Sequence, residues 1–315
     1  MDFDLNNYRI GVIIPYYNAK DFIADVIKNL PEYIDTIYLV NDASLEEIPS
    51  QVNTFLKVKI IDCEVNLGVG GAVKKGFIAG ITDNMDYLIK VDADGQMESK
   101  YIPDLLKPLI QSTADYAKGN RFHDFAKLRK MPFIRKIGNL ILSFLTKSAT
   151  GYWHVFDPTN GFFAIKTASL TKMNFQKLSN RYFFETSILS ELYFQKARIV
   201  DVPMSAVYGD ETSNMKVWKM PFVFLPKLIR LFISRIVKRY FIYDFNISSV
   251  YLIFGLPLFL FGIVYGVYNW IYYSSRDIFT PTGTIMIITL CIILGFQLLL
   301  QVINNDIENS PRPSK

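Results

Sequence analysis

Two uncharged apolar stretches, residues 249–273 and 283–303, limit the architecture of this chain more than any other feature. Each holds the roughly 20 apolar residues that a helix needs to cross a bilayer, and in hydrocarbon a single segment satisfies its backbone only as a helix. The link between them, 274–282, is short, so a chain that crosses twice returns to the side it left. Buried core helices of a soluble protein are the competing reading, and these stretches are long for that role.

The charge pattern orients the pair. Lys216, Lys219, Lys227, Arg230, Arg235, Lys238 and Arg239 form a basic collar just before the first stretch, with no acidic residue between them. Lysine and arginine accumulate on the cytoplasmic side of a span, which places the collar, everything before it and the tail in the cytoplasm. Residues 1–10 lack the basic-then-apolar pattern of a secretory signal, in keeping with that placement. Residues 220–243 mix the collar with Phe, Leu and Ile as an interfacial helix would, although Pro221 and Pro226 speak against one unbroken helix.

The remaining two thirds of the chain has a different pattern. Short apolar, β-branched runs at 10–15, 37–40, 58–63, 87–91, 116–119 and 198–202 alternate with helical spacing at 21–30, 71–81, 102–110, 134–145 and 183–194. Runs without polar alternation fit strands covered on both faces, and so a mostly parallel α/β sheet. Ligands of such sheets bind at the carboxyl ends of the strands. The expected division is a sheet domain at 1–212, a basic juxtamembrane segment at 213–246, a two-helix anchor at 247–304 and a tail at 305–315.

Asp92-Ala93-Asp94-Gly95-Gln96 follows one of these strands directly. Residues two apart in extended chain point the same way, so Asp92, Asp94 and Gln96 can converge. Two adjacent carboxylates call for a cation, and oxygen-only ligation selects a hard ion, Mg²⁺ or Mn²⁺. An ordinary polar turn reads equally well from these residues alone. Cys63 falls in a strand and Cys291 in an apolar stretch, so they do not pair, and two histidines are too few for a histidine-based zinc site.

Asp42 closes the second strand, where its carboxylate can accept from a nucleobase or ribose, or simply cap a turn. Asn66 to Ala72 is glycine-rich ahead of a helix, which brings Gly70 and Lys74 near a bound phosphate or serves as a structural turn. It matches neither the dinucleotide nor the P-loop fingerprint. A net charge of +5 with no basic–aromatic groove sets nucleic acid aside as a partner.

In order, Ile14-Pro15-Tyr16-Tyr17-Asn18, Asn41-Asp42-Ala43-Ser44, Asn66 to Ala72 and Asp92 to Gln96 resemble the N-terminal motifs of the inverting family 2 glycosyltransferases of the GT-A fold. Gly119-Asn120-Arg121 and Asp157-Pro158-Thr159-Asn160-Gly161-Phe162 resemble later motifs of its dolichyl- and polyprenyl-phosphate sugar synthase branch, and with the apolar pair the likeness covers nearly the whole chain.

The resemblance implies a metal-dependent enzyme at the cytoplasmic membrane face. It would move a sugar from a UDP- or GDP-linked donor to a polyprenyl phosphate. Pro15, Tyr16 and Asp42 would line the nucleoside pocket, with Gly70 and Lys74 beside the donor. Asp92, Asp94 and Gln96 would hold the metal, Arg121 would face phosphate, and Arg135 would reach the acceptor phosphate. The likeness departs at Phe163, where a basic residue often stands, and the Ser213 to Lys216 stretch only loosely echoes a later motif.

A phosphate monoester is already mostly ionised at neutral pH, so such an acceptor needs no general base. Glu185, at the start of a helix, is the one candidate base. A catalytic Glu185 would favour the alternative acceptor, a hydroxyl of a lipid-linked saccharide. A non-catalytic, nucleotide-binding membrane protein is the third reading. Gly255, Gly262 and Gly266 mark helix contacts, either within the chain or between two copies.

Overall fold

The computed structural model describes residues 5–121, 133–158, 160–205 and 220–313. They form two compact units, Met1–Leu231 with Pro311–Lys315, and Phe232–Ser310.

In the first unit, β1 (Ile10–Tyr16), β2 (Thr36–Asn41), β3 (Val58–Asp62), β4 (Tyr87–Lys90), β5 (Tyr116–Asn120), β6 (Phe163–Lys166) and β7 (Ile199–Pro203) make one sheet in the order β3-β2-β1-β4-β6-β5-β7. Pairing is parallel except for β6, which runs antiparallel to β4 and β5. The alternation of the buried strands divides the core between the two faces. Val12, Ile14 and Ile89 face the side of α1 (Lys20–Lys28) and α3 (Ile102–Ile110), whereas Ile13, Leu88 and Phe163 face the side of α2 (Val69–Thr82). Two-sided burial explains why the strands read as apolar runs. Partly open residues concentrate in the two edge strands, β3 and β7.

A helix with four glycines is a weak former, and α2 is stabilised by its fit to the sheet. A β-carbon on Gly80 would lie 2.5 Å from Leu88 Cδ2, and one on Gly76 would collide with Ile13. The chain continues through α4 (Phe133–Thr150), α5 (Thr167–Leu170) and α6 (Phe184–Phe194). The order of strands reverses between β1 and β4, and the loops after β1, β2, β4 and β5 gather at the carboxyl edge that such a reversal opens to ligands. The antiparallel β6, which the sequence pattern did not suggest, carries the segment before it to that same edge.

Residues 220–237 of the basic segment form one helix, α7 (Met220–Val237), against the expectation drawn from its prolines, and a π-helical turn follows at Lys238–Tyr243. Pro221 lies in the first turn, where a backbone N–H has no intrahelical partner to lose. Pro226 costs the helix one hydrogen bond, and the helix continues past it. Packing of Phe224 and Leu228 with Ala149 and Phe183 offsets that loss; the Phe183 and Phe224 rings meet edge to face at 5.3 Å.

The second unit is a helical hairpin of α8 (Ile247–Ser274) and α9 (Thr282–Glu308), close to the two expected stretches and largely exposed along both apolar windows. Gly255, Gly262 and Gly295 form the crossing. A β-carbon on them would approach Leu298 Cβ at 2.7 Å, Ile292 Cγ1 at 2.8 Å and Phe259 N at 2.5 Å. Gly255 and Gly262 are therefore used within the chain, as one of the two expected readings had it.

At one end of the hairpin a polar cluster is closed off from solvent. Arg235 Nη1 and Nη2 donate to the two Asp306 oxygens at 2.7 and 2.9 Å, and Tyr240 Oη donates to Oδ1 at 2.8 Å. Asn246 caps α8 in a box with Ser249, whose hydroxyl donates to Tyr240 O. Removing one partner of a buried ion pair leaves the other uncompensated, typically at about 3–5 kcal/mol. Asp306→Ala should therefore lower the melting midpoint of detergent-solubilised protein, followed by helical circular dichroism, well below that of Asp306→Asn.

Candidate active site

Lys90 is the last residue of β4 and ends an otherwise apolar strand. Its side chain is 2% exposed, and its Nζ lies 2.5 Å from Asp92 Oδ1. Three residues past Asp92, the backbone turns through Gly95 at φ +72°, and Gln96 N–H donates to Asp94 Oδ1 at 3.0 Å. Asp92 and Asp94 thus stand partly open at the carboxyl edge. Their oxygens, with the Gln96 carboxamide nearby in sequence, suit a hard divalent cation. Among the described residues no group of three or more His, Cys, Asp or Glu converges on one point. A cation here would complete its shell from water or a bound ligand.

The segment before β6 joins this edge together. Asp157 is fully buried and takes Arg121 Nε and Nη2 in a fork at 2.8 and 3.1 Å, and also accepts from Arg121 N–H. Asn160 Nδ2 donates to Gly119 O at 2.8 Å. The absence of a side chain at Gly119 lets Asn160 and Met204 close on the strand. Gly161 has a similar role one step along. A β-carbon there would collide with Lys90 Nζ and lie 3.4 Å from both Asp92 Oδ2 and Glu185 Oε1. Asp157, Asn160 and Gly161 therefore fasten the ends of β4 and β5 and bring Glu185, at the start of α6, beside Asp92. Burial raises the Glu185 carboxyl above its ordinary range, and the Lys90 charge opposes the rise.

The expected donor-side residues lie at the ends of β1 and β2 and in the first turns of α2. Pro15 is half-buried at the end of β1, and the Tyr16 ring is buried with its hydroxyl donating to Glu47 O. Asp42 is 3% exposed, and both its oxygens accept loop amides, Leu67 N at 2.7 Å and Gly68 N at 2.8 Å. Its carboxylate shapes the glycine loop from below. Gly68, at φ +84°, turns that loop into α2, and Gly70 fits under Ser179 O and Phe184. Lys74 donates to Leu178 O and to Asn180 Oδ1, so it fastens a neighbouring loop. Arg135 lies in α4, and its side chain is outside the described residues, as are Thr159 and the whole stretch from Ser213 to Lys216.

Three residues not singled out in the sequence, Lys90, Lys118 and Asp201, lie directly below the edge. Lys90 on β4, Phe163 on β6, Lys118 on β5 and Asp201 on β7 are register partners in succession, so they form one row across four strands. All but Asp201 are almost completely buried. Burial lowers the Lys118 ammonium to about 8 and raises the Asp201 carboxyl to about 6. The available signal was a lysine at an interior position of two apolar strands, where an unpaired charge is costly.

Residues 11–173 match the model of glycosyl transferase family 2. The chain belongs to that family. Among its relatives in family 2 is the UDP-N-acetylglucosamine–dolichyl-phosphate N-acetylglucosaminyltransferase of Methanococcus voltae, 32% identical over 64% of this chain and 86% of that protein. Another is the undecaprenyl-phosphate mannosyltransferase of Micrococcus luteus, 26% identical over 63% and 84%. The GT-A fold is shown by likeness to glucosyl-3-phosphoglycerate synthase of Mycobacterium tuberculosis solved with Mn²⁺ and UDP-glucose, at a TM-score of 0.57 and 15% identity over 73% of this chain and 84% of that one.

The row under the site has a measurable consequence. A carboxyl raised from about 3.9 to about 6 favours the folded state while protonated, and that contribution is lost as pH rises through 6. Asp115 and Asp83, both held low by their partners, act in the opposite sense. The difference between Asp201→Asn and the parent isolates the raised group: from pH 4 to pH 7 the variant should gain relative stability, by about 3 kcal/mol at most, read from denaturant midpoints at each pH.

Proposed function

We propose that this family 2 glycosyltransferase moves a sugar from a nucleotide-sugar donor to a polyprenyl phosphate, by a single displacement that inverts the anomeric centre. The observation that carries the reading is the joining of the Asp92/Asp94 pair and Arg121 at one edge by the segment from Asp157 to Gly161. One part of that edge suits the diphosphate end of a donor, and Arg121 suits a charged acceptor. The two relatives differ in sugar and share a polyprenyl-type phosphate in their names. The acceptor class is therefore what carries over.

Asp92, Asp94 and Gln96 would hold Mg²⁺ or Mn²⁺, which when bound offsets the charge of the departing nucleoside diphosphate. Asp42 supports the loop beside the donor through Leu67 and Gly68, and Pro15 and Tyr16 give the wall behind it its shape. Gly70 keeps the start of α2 close to Ser179 and Phe184. Arg121 orients the acceptor phosphate by charge-assisted hydrogen bonds, with Arg135 a further candidate on α4. The phosphate oxygen attacks already ionised, so no residue needs to remove a proton.

The apolar hairpin fits a lipid acceptor, because two helices of this length hold the protein where the isoprenoid tail resides. The basic collar supports a cytoplasmic side for residues 1–212 and the tail, with 213–246 at the surface and 247–304 in the bilayer. A second reading has one observation in its favour. Glu185, its carboxyl raised by burial beside Asp92, has the character of a general base for a hydroxyl acceptor.

The test is release of nucleoside diphosphate by purified protein given undecaprenyl phosphate, UDP- and GDP-sugars and Mn²⁺. Release should require both lipid and metal and should fall by at least about 100-fold in Asp94→Asn. Glu185→Gln should keep activity on the phosphate to within about tenfold. A larger loss, with turnover only on lipid-linked saccharides, would establish the hydroxyl reading. Nucleotide binding without turnover on either acceptor would show a non-catalytic protein.

A further inference from the structure

Lys118 has no exposed surface, and its Nζ has no hydrogen-bond partner among the described residues. Asp201, its register partner on β7, accepts from Phe156 N and Asn120 Nδ2 at Oδ2, but Oδ1 has no partner either. A methionine and an asparagine would fill the same space without the desolvation cost of two charges. The groups whose charges act on Lys118 are Asp157, Asp201, Glu185 and Arg121, drawn from three surrounding segments as well as its own strand. Lys147 on α4 also acts on Asp201.

The Arg121–Asp157 fork presents an electrostatic problem that Lys118 resolves. Asp157 is completely buried, and Arg121, 39% exposed, is its ion-pair partner. A phosphate arriving at Arg121 competes with Asp157 for the same guanidinium. Drawing the guanidinium outward would leave a buried carboxylate without compensation. A second, buried cation whose charge acts on the carboxylate removes that conflict. Lys118 is such a cation, held in the strand that ends just before Arg121.

We propose that Lys118 is a positioning residue for the acceptor: its buried ammonium offsets the charge of Asp157 from within the sheet, so that Arg121 can engage a phosphate without abandoning its carboxylate. This rests on the lipid-phosphate reading above. Lys118 itself is too deeply buried to touch the substrate.

The experiment compares Lys118→Met and the double variant Lys118→Met/Asp201→Asn with the parent, in the undecaprenyl phosphate assay and in calorimetric titration of nucleoside diphosphate with Mn²⁺. The double variant removes both charges of the orphaned pair and carries the test if the single variant folds poorly. The expected result is an acceptor KM raised at least tenfold in both variants, with nucleotide affinity within twofold of the parent. An unchanged acceptor KM overturns the proposal. Equal losses in acceptor KM and nucleotide affinity overturn it too, because they mark a merely structural lysine. Recovery of the acceptor KM in the double variant also overturns it, since Lys118 would then serve Asp201 alone. Absence of parent turnover on the lipid phosphate removes the functional reading and this inference together, whereas parent turnover with an unaffected variant removes only the inference.

Discussion

Carboxylates gathered at one edge of a sheet repel each other, and burying some of them adds the cost of lost hydration. In this fold the compensation lies one layer down, in the row Lys90, Phe163, Lys118 and Asp201 that crosses four strands. Lys90 meets Asp92 directly, and Lys118 lies in the field of Asp157 and Glu185. Phe163 separates the two ammonium groups and is itself fully buried. A basic residue at that position, as the family resemblance suggests, would put a third cation between two others. The cations are instead supplied from the strands on either side.

This layer also explains the importance of the segment from Asp157 to Gly161. It carries one buried carboxylate to Arg121, one carboxamide to the backbone at Gly119 and one missing side chain to the Lys90 ammonium. The antiparallel β6 that follows it returns the chain through the middle of the sheet, between β4 and β5. Sheet order and site chemistry are therefore coupled. Without β6 in that place, the ends of β4 and β5 would have no common clamp.

Much of this was legible in the sequence, for physical reasons that differ from part to part. The helical hairpin was read to within a few residues because length and apolarity leave a spanning segment few alternatives. The strands β1, β2, β4 and β5 were plain because both faces are buried. β6 was not, since four residues after an irregular segment carry no period. α7 was misread as broken because proline propensity is a local rule, and the packing of Phe224 and Leu228 overrides it. The Asp92 and Asp94 pair stood out as acidic residues at a strand end. Lys90 and Lys118 did not, because a lysine in a strand reads as solvated until its neighbours in register are known. Asp42 and Lys74 lie where the motifs put them, but their side chains bond to the protein's own backbone and loops, a direction of bonding that spacing cannot reveal.

The glycine loop after β3 is tied from three directions: Asp42 holds Leu67 and Gly68, Asn180 O accepts from Gly71 N–H, and Lys74 fastens the 178–180 strand of chain beside it. The ordering of that loop is part of folding, so its entropic cost falls on the free protein and not on the binding event. A molecule arriving there meets a surface already shaped, and loosening the loop would show itself as a more unfavourable binding entropy with the enthalpy of contact largely retained.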